Sequence, residues 1–264
     1  MLDRAALAEV ADDAGPSGPS RAEAAAFRAR GHLAMKAALP AETIAAAAPA
    51  LRAFIHERQG VPDPFGDDSR ARSIFTLLDA PAPVARFVTS PRLGEIAADL
   101  LDVDAVRLWN FRGFFKPAGG GGTPWHQDQT YIPLDTYAVV TLWAPLAEVE
   151  ADMGALLFAE GSHAAGPIHP APEVPSWPVV RDPPLGRGDL SAHLGWTLHA
   201  SLPNVGGRTR EAVAVCFYAD GARLKAPPSP FLAQILRPML TGVSPGEPVA
   251  GAANPLVFKR SARP

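Results

Sequence analysis

Near residue 105 the spacing of apolar residues in this 264-residue chain changes, and that change limits the folds open to it. Between residues 40 and 59, Ile44, Ala47, Ala48, Leu51, Phe54 and Ile55 recur at intervals of three and four, as on a helix that buries one face. From Ala105 onward the period is two: Leu108, Asn110, Arg112 and Phe114 fall on one face of a strand, with Trp109, Phe111 and Phe115 on the other. Further helices are predicted over 21–30, with Ser20 as N-cap and Gly31 as stop, and over 83–89 and 91–101, each with proline at or near its first turn. The first fourteen residues suit a looser helix, residues 32–36 a short strand, and residues 60–72 a polar loop. Strands are expected over 106–116, 137–146, 154–159, 188–193, 195–199 and 211–219. A helix-rich first third followed by a strand-rich remainder predicts an α+β chain. Its strands suffice for a double-stranded β-helix, or jelly roll, with the N-terminal helices packed on it.

The whole chain, 1–264, reads as one domain: a mainly helical part over 1–104, a jelly-roll core over 105–220 and a C-terminal extension over 221–264. Residues 164–187 are proline-rich and aperiodic, a candidate lid over a pocket mouth. The four glycines at 119–122 lack the lysine and serine spacing of a phosphate loop, so this stretch reads as a hairpin connection. A net charge of −3 and a pI near 6.2 give no electrostatic footprint for nucleic acid. No apolar run reaches the length of a membrane span, and the N-terminus lacks the pattern of a signal peptide. One cysteine, Cys216, excludes an intrachain disulfide and suits a reducing cytoplasm.

The chemistry of the chain gathers around Trp125-His126-Gln127-Asp128. On extended backbone, His126 and Asp128 project from one face. An imidazole and a carboxylate so placed supply two thirds of the 2-His-1-carboxylate facial triad, which holds non-haem Fe(II) and leaves other coordination positions open. His199 is the candidate for the third ligand. The bland alternative is a hydrogen-bonded pair of strand residues and an unrelated histidine near a turn. Arg210 starts the following strand and Ser201 lies two residues after His199. A guanidinium fork beside a hydroxyl is what the far carboxylate of a dicarboxylate cosubstrate requires. Arg208 is the rival, and spacing alone does not separate the two arginines. Asn110 and Arg112, polar residues on one face of a strand next to a buried site, read as a pocket wall, although a solvent-facing reading is also open.

Taken in order, Trp125-His126-Gln127-Asp128, Thr141-Leu142-Trp143, Gly154-Ala155-Leu156, Gly161-Ser162-His163, Gly188-Asp189 and His199-x-Ser201-x-Pro203-Asn204 with Arg210 resemble the phytanoyl-CoA dioxygenase family of Fe(II)/2-oxoglutarate oxygenases. The resemblance covers roughly residues 25–220. It implies a jelly-roll core with N-terminal helices, and oxidative decarboxylation of 2-oxoglutarate by O2, with release of succinate and CO2, coupled to oxidation of a second substrate. By this resemblance His126, Asp128 and His199 match the iron ligands and Arg210 the anchor of the cosubstrate carboxylate. Ser201 and Trp143 match positions that contact the cosubstrate, and Asn110 is similar in placement to another. Arg112 matches a position facing the substrate, and Phe114 stands where several members carry a polar residue. Asp128 argues against the related halogenases, which have a small residue there, and favours hydroxylation of a small organic substrate. A role in secondary metabolism follows only by analogy. Two other readings share the ligand set: a cupin-like isomerase or hydrolase using another metal, and a non-catalytic metal-binding jelly roll. His163 is expected to hydrogen-bond in a turn, His193 to approach the pocket from the strand before His199, and Cys216, Trp109 and Phe217 to pack in the core.

Overall fold

Alternation sorts every long strand of the larger sheet into a face for helices and a face for chemistry. The computed structural model describes residues 18–57, 72–226 and 229–261. The loose helix expected over the first fourteen residues, and all but the end of the loop expected over 60–72, lie outside them. Helix α1 (Arg21–Arg30) is closed by a capping box between Ser20 and Glu23 and ends at Gly31, whose φ of 85° satisfies the left-handed C-cap that glycine adopts without strain. It leads into β1 (His32–Met35). Helix α2 (Ala41–Glu57) buries Ile44, Ala47, Ala48, Leu51, Phe54 and Ile55, the stripe that its spacing predicts. Then come β2 (Arg72–Phe75), α3 (Ala82–Val88) and α4 (Pro91–Leu101).

The larger sheet runs β1–β8–β5–β10–β3–β11, where β3 is Ala105–Lys116, β5 Val139–Pro145, β8 Leu190–Leu194, β10 Arg210–Ala219 and β11 Leu256–Lys259. One edge of β3 is shared: β11 pairs with its first residues and β2 with Phe111 to Phe114. Phe111 and Phe115 of β3, Val140 and Leu142 of β5, Leu190 and Ala192 of β8, and Val213, Val215 and Phe217 of β10 pack with the helices in the main core. The layers approach so closely that a Cβ on Gly113 would lie 2.6 Å from Ile55 of α2. Each large side chain buried here contributes roughly 1.5–3 kcal/mol. The opposite face carries Asn110, Arg112 and Phe114, Thr141 and Trp143, His193, and Ala214 and Cys216, all lining a cavity. The smaller sheet supplies the other wall in the order β4–β9–β6–β7: β4 is Thr123–His126, β6 Leu156–Ala159, β7 Val179–Arg181 and β9 His199–Ser201. Two antiparallel sheets enclosing a site, with helices on the outer face, make the jelly roll that the pattern predicts.

Four local expectations are corrected. Leu108 and Trp109 exchange faces relative to strict alternation, because a bulge sets Phe217 opposite Leu108 and Cys216 opposite Asn110, leaving Trp109 as the extra residue. Leu108 then joins the helix-side core, and Trp109 packs with Cys216 and Tyr218 on the inner side. The strand expected over 195–199 begins only at His199, since the Thr197 amide donates to Leu194 O and closes a turn. The aperiodic stretch 164–187 contains β7, which extends the smaller sheet. The C-terminal region is also not a mere extension: it includes α5 (Pro230–Leu236) and β11, the latter an edge of the main sheet.

Candidate metal centre and cavity

His126 and His199 are direct register partners on β4 and β9, which sets their rings 4.1 Å apart between centroids. Gln127 has extended backbone (φ −122°, ψ 124°), and Asp128 begins a 3-10 turn, Asp128–Tyr131. His126 and Asp128 thus turn toward the same side even though the strand itself ends at His126. Between them Gln127 points away and is pinned. Its amide nitrogen donates to Trp196 O at 2.6 Å and Gly166 O at 2.9 Å, and its oxygen accepts from the Ile168 amide at 2.7 Å. The middle residue of the motif thereby fixes the direction of both its neighbours.

The tautomers follow from the hydrogen bonds. His126 Nδ1 lies 2.9 Å from Pro124 O and His199 Nδ1 3.0 Å from Thr197 O, each a carbonyl two residues earlier. A carbonyl only accepts, so each Nδ1 carries the proton and each Nε2 offers a lone pair. Both Nε2 atoms stand 4.0 Å from the same oxygen, Asp128 Oδ1, and one ligand atom from each residue falls within 4.8 Å of the others. Asp128 Oδ2 is held back by Thr141 Oγ1 at 2.8 Å and His193 Nε2 at 3.2 Å, leaving Oδ1 to face the histidines together with Arg112 at 3.2 Å. Two imidazole lone pairs and one carboxylate oxygen converging from one side fit a divalent transition-metal ion such as Fe(II).

Protonation favours the same use. Burial pushes the Asp128 carboxyl up, but the Arg112 guanidinium, the hydrogen bond from His193 and the nearby His199 ring outweigh it and hold the group well below the usual carboxylate range. Burial, reinforced by His126 and His193, holds His199 well below the ordinary histidine range. An ionised carboxylate and a neutral imidazole are the forms that bind metal.

The remaining candidates line the same cavity. Arg210 is buried, with its guanidinium donating to Gly154 O and lying 5.4 Å from the centre of the Trp143 ring. Ser201 lines the same cavity and donates to Thr123 Oγ1 at 2.9 Å. Arg208 instead pairs with Glu150 at 2.6 Å, its side chain 57% exposed, so the two arginines that spacing left open stand in different surroundings. Asn110 is 2% exposed, and its Oδ1 has no hydrogen-bond partner among the described residues. An orphaned buried acceptor at a cavity wall suits a polar ligand. Phe114 and Leu156 supply apolar lining, and the described lining includes no residue of 164–187.

His193 lies against the centre, as its place before His199 suggests. Sequence reading misses Thr141 as a partner of Asp128, and Lys116, whose Nζ donates to Ser201 Oγ at 2.7 Å. Lys116 continues the alternation Asn110, Arg112, Phe114 by one step, so its face was legible. Cys216 also lines the cavity rather than only packing in the core. His163 hydrogen-bonds to Arg28 O, and His32 stacks on Phe158.

Residues 27–212 match the model of a family described as phytanoyl-CoA dioxygenase. A probable alpha-ketoglutarate-dependent hypophosphite dioxygenase of Stutzerimonas stutzeri is 30% identical over 115 residues, a match that spans 38% of this chain and 40% of that protein. Two solved structures are similar in fold: the non-heme alpha ketoglutarate dependent epimerase SnoN from nogalamycin biosynthesis (TM-score 0.79, 21% identity, 99% of this chain and 100% of that one) and the carbocyclase SnoK from the same biosynthesis (TM-score 0.77, 22% identity, 92% and 100%). No helix among the described residues is long and apolar enough to cross a membrane.

Proposed function

The chain belongs to the phytanoyl-CoA dioxygenase family, and from that premise we propose that it is an Fe(II)- and 2-oxoglutarate-dependent dioxygenase that hydroxylates a small organic molecule. His126, Asp128 and His199 would hold the iron; Arg210, Ser201, Trp143 and Asn110 would hold the cosubstrate; Arg112 and Phe114 would face the substrate. The observation that carries the reading is the pair of Nε2 lone pairs aimed at one oxygen of Asp128, in a cavity that also contains a buried arginine. A metal-dependent isomerase would use the three ligands but would give Arg210 no task.

Iron with 2-oxoglutarate and O2 supplies the oxidising chemistry, in which the cosubstrate leaves as succinate and CO2. The protein's own residues do the positioning. Pro124 O and Thr197 O fix the imidazole tautomers. Thr141 and His193 occupy Oδ2 of Asp128 and so present Oδ1 alone. Arg210 offers a carboxylate two parallel hydrogen bonds in a buried setting, where charge-assisted bonds are strong. Trp143 covers the guanidinium and fixes its plane. The apolar wall of Phe114, Leu156 and Ala200 limits water around the reacting centre. The relatives include an epimerase and a carbocyclase as well as a probable dioxygenase. Hydroxylation is the reading we favour, because Asp128 completes the ligand set and the simplest outcome of substrate oxidation is insertion of oxygen.

The test is succinate release from 2-oxoglutarate across a panel of small organic acids and natural products, in the presence of Fe(II) and O2. Turnover that disappears in His126→Ala supports the assignment; turnover that survives this change sinks it.

A further inference from the structure

We infer that Lys116 is a positioning residue for the cosubstrate: a second buried cation that acts through Ser201 to select a 2-oxo acid bearing a distal carboxylate. The inference rests on the oxygenase reading above and deepens it. Lys116 is the direct register partner of Arg210 across β3 and β10 and is 4% exposed. Its ammonium donates to Ser201 Oγ at 2.7 Å and to Leu202 O at 2.9 Å. Asn204 donates to the Lys116 carbonyl at 2.9 Å and fixes the end of β3 from which the side chain departs.

The consequence lies in the direction of the Ser201 hydroxyl. An ammonium has donors and no acceptor, so Ser201 Oγ must accept from Lys116, and its own proton is aimed elsewhere. Its partner here is Thr123 Oγ1 at 2.9 Å, and both hydroxyls line the cavity next to Arg210. A carboxylate seated on Arg210 can take that proton in place of Thr123. Accepting a charge-assisted bond makes a hydroxyl a better donor, and a buried ammonium favours an anion arriving beside it far more than an exposed one would. Arg210 supplies the fork, Lys116 supplies charge and hydroxyl direction, and neither duplicates the other. A 2-oxo monocarboxylic acid, with a methyl group at that end, would gain from neither.

The experiment is anaerobic calorimetry on the full chain loaded with Fe(II), titrated with 2-oxoglutarate and, separately, with 2-oxovalerate, which lacks the distal carboxylate. We expect Lys116→Met to weaken 2-oxoglutarate about tenfold or more, the size of one lost charge-assisted bond, and to leave 2-oxovalerate unchanged. Ser201→Ala should lose the same selectivity, and the double variant should lose little more than either alone. Equal weakening of both acids would reduce Lys116 to a structural role and overturn the inference. So would unaltered 2-oxoglutarate binding in Lys116→Met. Should Lys116→Met not fold, Ser201→Ala carries the test, and retained selectivity there overturns it. Wild-type protein that binds Fe(II) but neither acid would fail the oxygenase reading itself, and this inference with it.

Discussion

His126 and His199 face one another as register partners across β4 and β9, with ring centroids 4.1 Å apart. Two neutral imidazoles can share this space, but two imidazolium ions cannot without strong repulsion. A cation between them and Asp128 satisfies both lone pairs. We therefore expect His199→Ala to lower Fe(II) affinity at least a hundredfold while the apo-protein keeps its thermal midpoint within a few degrees. Anaerobic metal titration followed by thermal unfolding checks both halves.

Asp128 is a different case, because three donors depend on it: Arg112, Thr141 and His193. Asp128→Ala leaves a mostly buried guanidinium without its carboxylate, which costs about 3 kcal/mol in comparable pairs. Denaturant unfolding without metal should show Asp128→Ala clearly less stable than His126→Ala. Equal stability would mean that Arg112 finds another partner.

Burial raises the Asp182 carboxyl to about 6, against a smaller opposing pull from Ser191 and His193. Its folded value exceeds its unfolded value of 3.8, so the folded state binds the proton more tightly. No stability is lost to this group below about pH 4. The loss grows between pH 4 and pH 6, where the unfolded chain has ionised and the native one has not, and reaches about 3 kcal/mol above it. Asp182→Asn should therefore stabilise the protein at pH 7.5 and make no such difference at pH 4. Urea unfolding at the two pH values decides, and a pH-independent difference would refute the reasoning.

Arg210 and Arg208 lie two residues apart but in different surroundings, one buried against Trp143 and one paired with Glu150 in solvent. Arg210→Ala should raise the 2-oxoglutarate requirement by ten- to a hundredfold, and Arg208→Ala should leave it within a factor of two. Surface pairs of the second kind contribute little. Steady-state kinetics in 2-oxoglutarate distinguishes them.

Cys216 lines the cavity but is buried, and burial pushes its thiol up to about 12. The thiolate is the reactive form. Iodoacetamide at pH 7.5 should leave the native protein unmodified for hours and label it at once in denaturant. Fast labelling of native protein would show that the cavity opens far more than its packing suggests.

Residue patterns made much of this legible. The stripe of α2 and the shared face of Asn110, Arg112 and Phe114 are local periodicities, and the N-cap at Ser20 is a local signal; both kinds are written in sequence. Trp109 was misread because a bulge inserts one residue, and bulges arise from pairing partners such as Cys216 and Phe217 more than a hundred residues away. Edge strands β7 and β11 escaped for a related reason: each is three or four residues long, and its identity comes from the strand it pairs with. The ligand candidates were visible because two of them sit two apart. Thr141 and His193 were not visible as partners of Asp128, since only the β5–β8 register places them side by side.

The most direct measurement is an anaerobic titration of purified protein with Fe(II) and then 2-oxoglutarate, followed by visible absorption. A 2-oxo acid chelated to Fe(II) gives a charge-transfer band, and no primary substrate is needed to see it. We expect a band that saturates at one equivalent of iron, vanishes in His126→Ala and requires far more 2-oxoglutarate in Arg210→Ala. A folded, iron-loaded protein that develops no band would contradict the account at its centre.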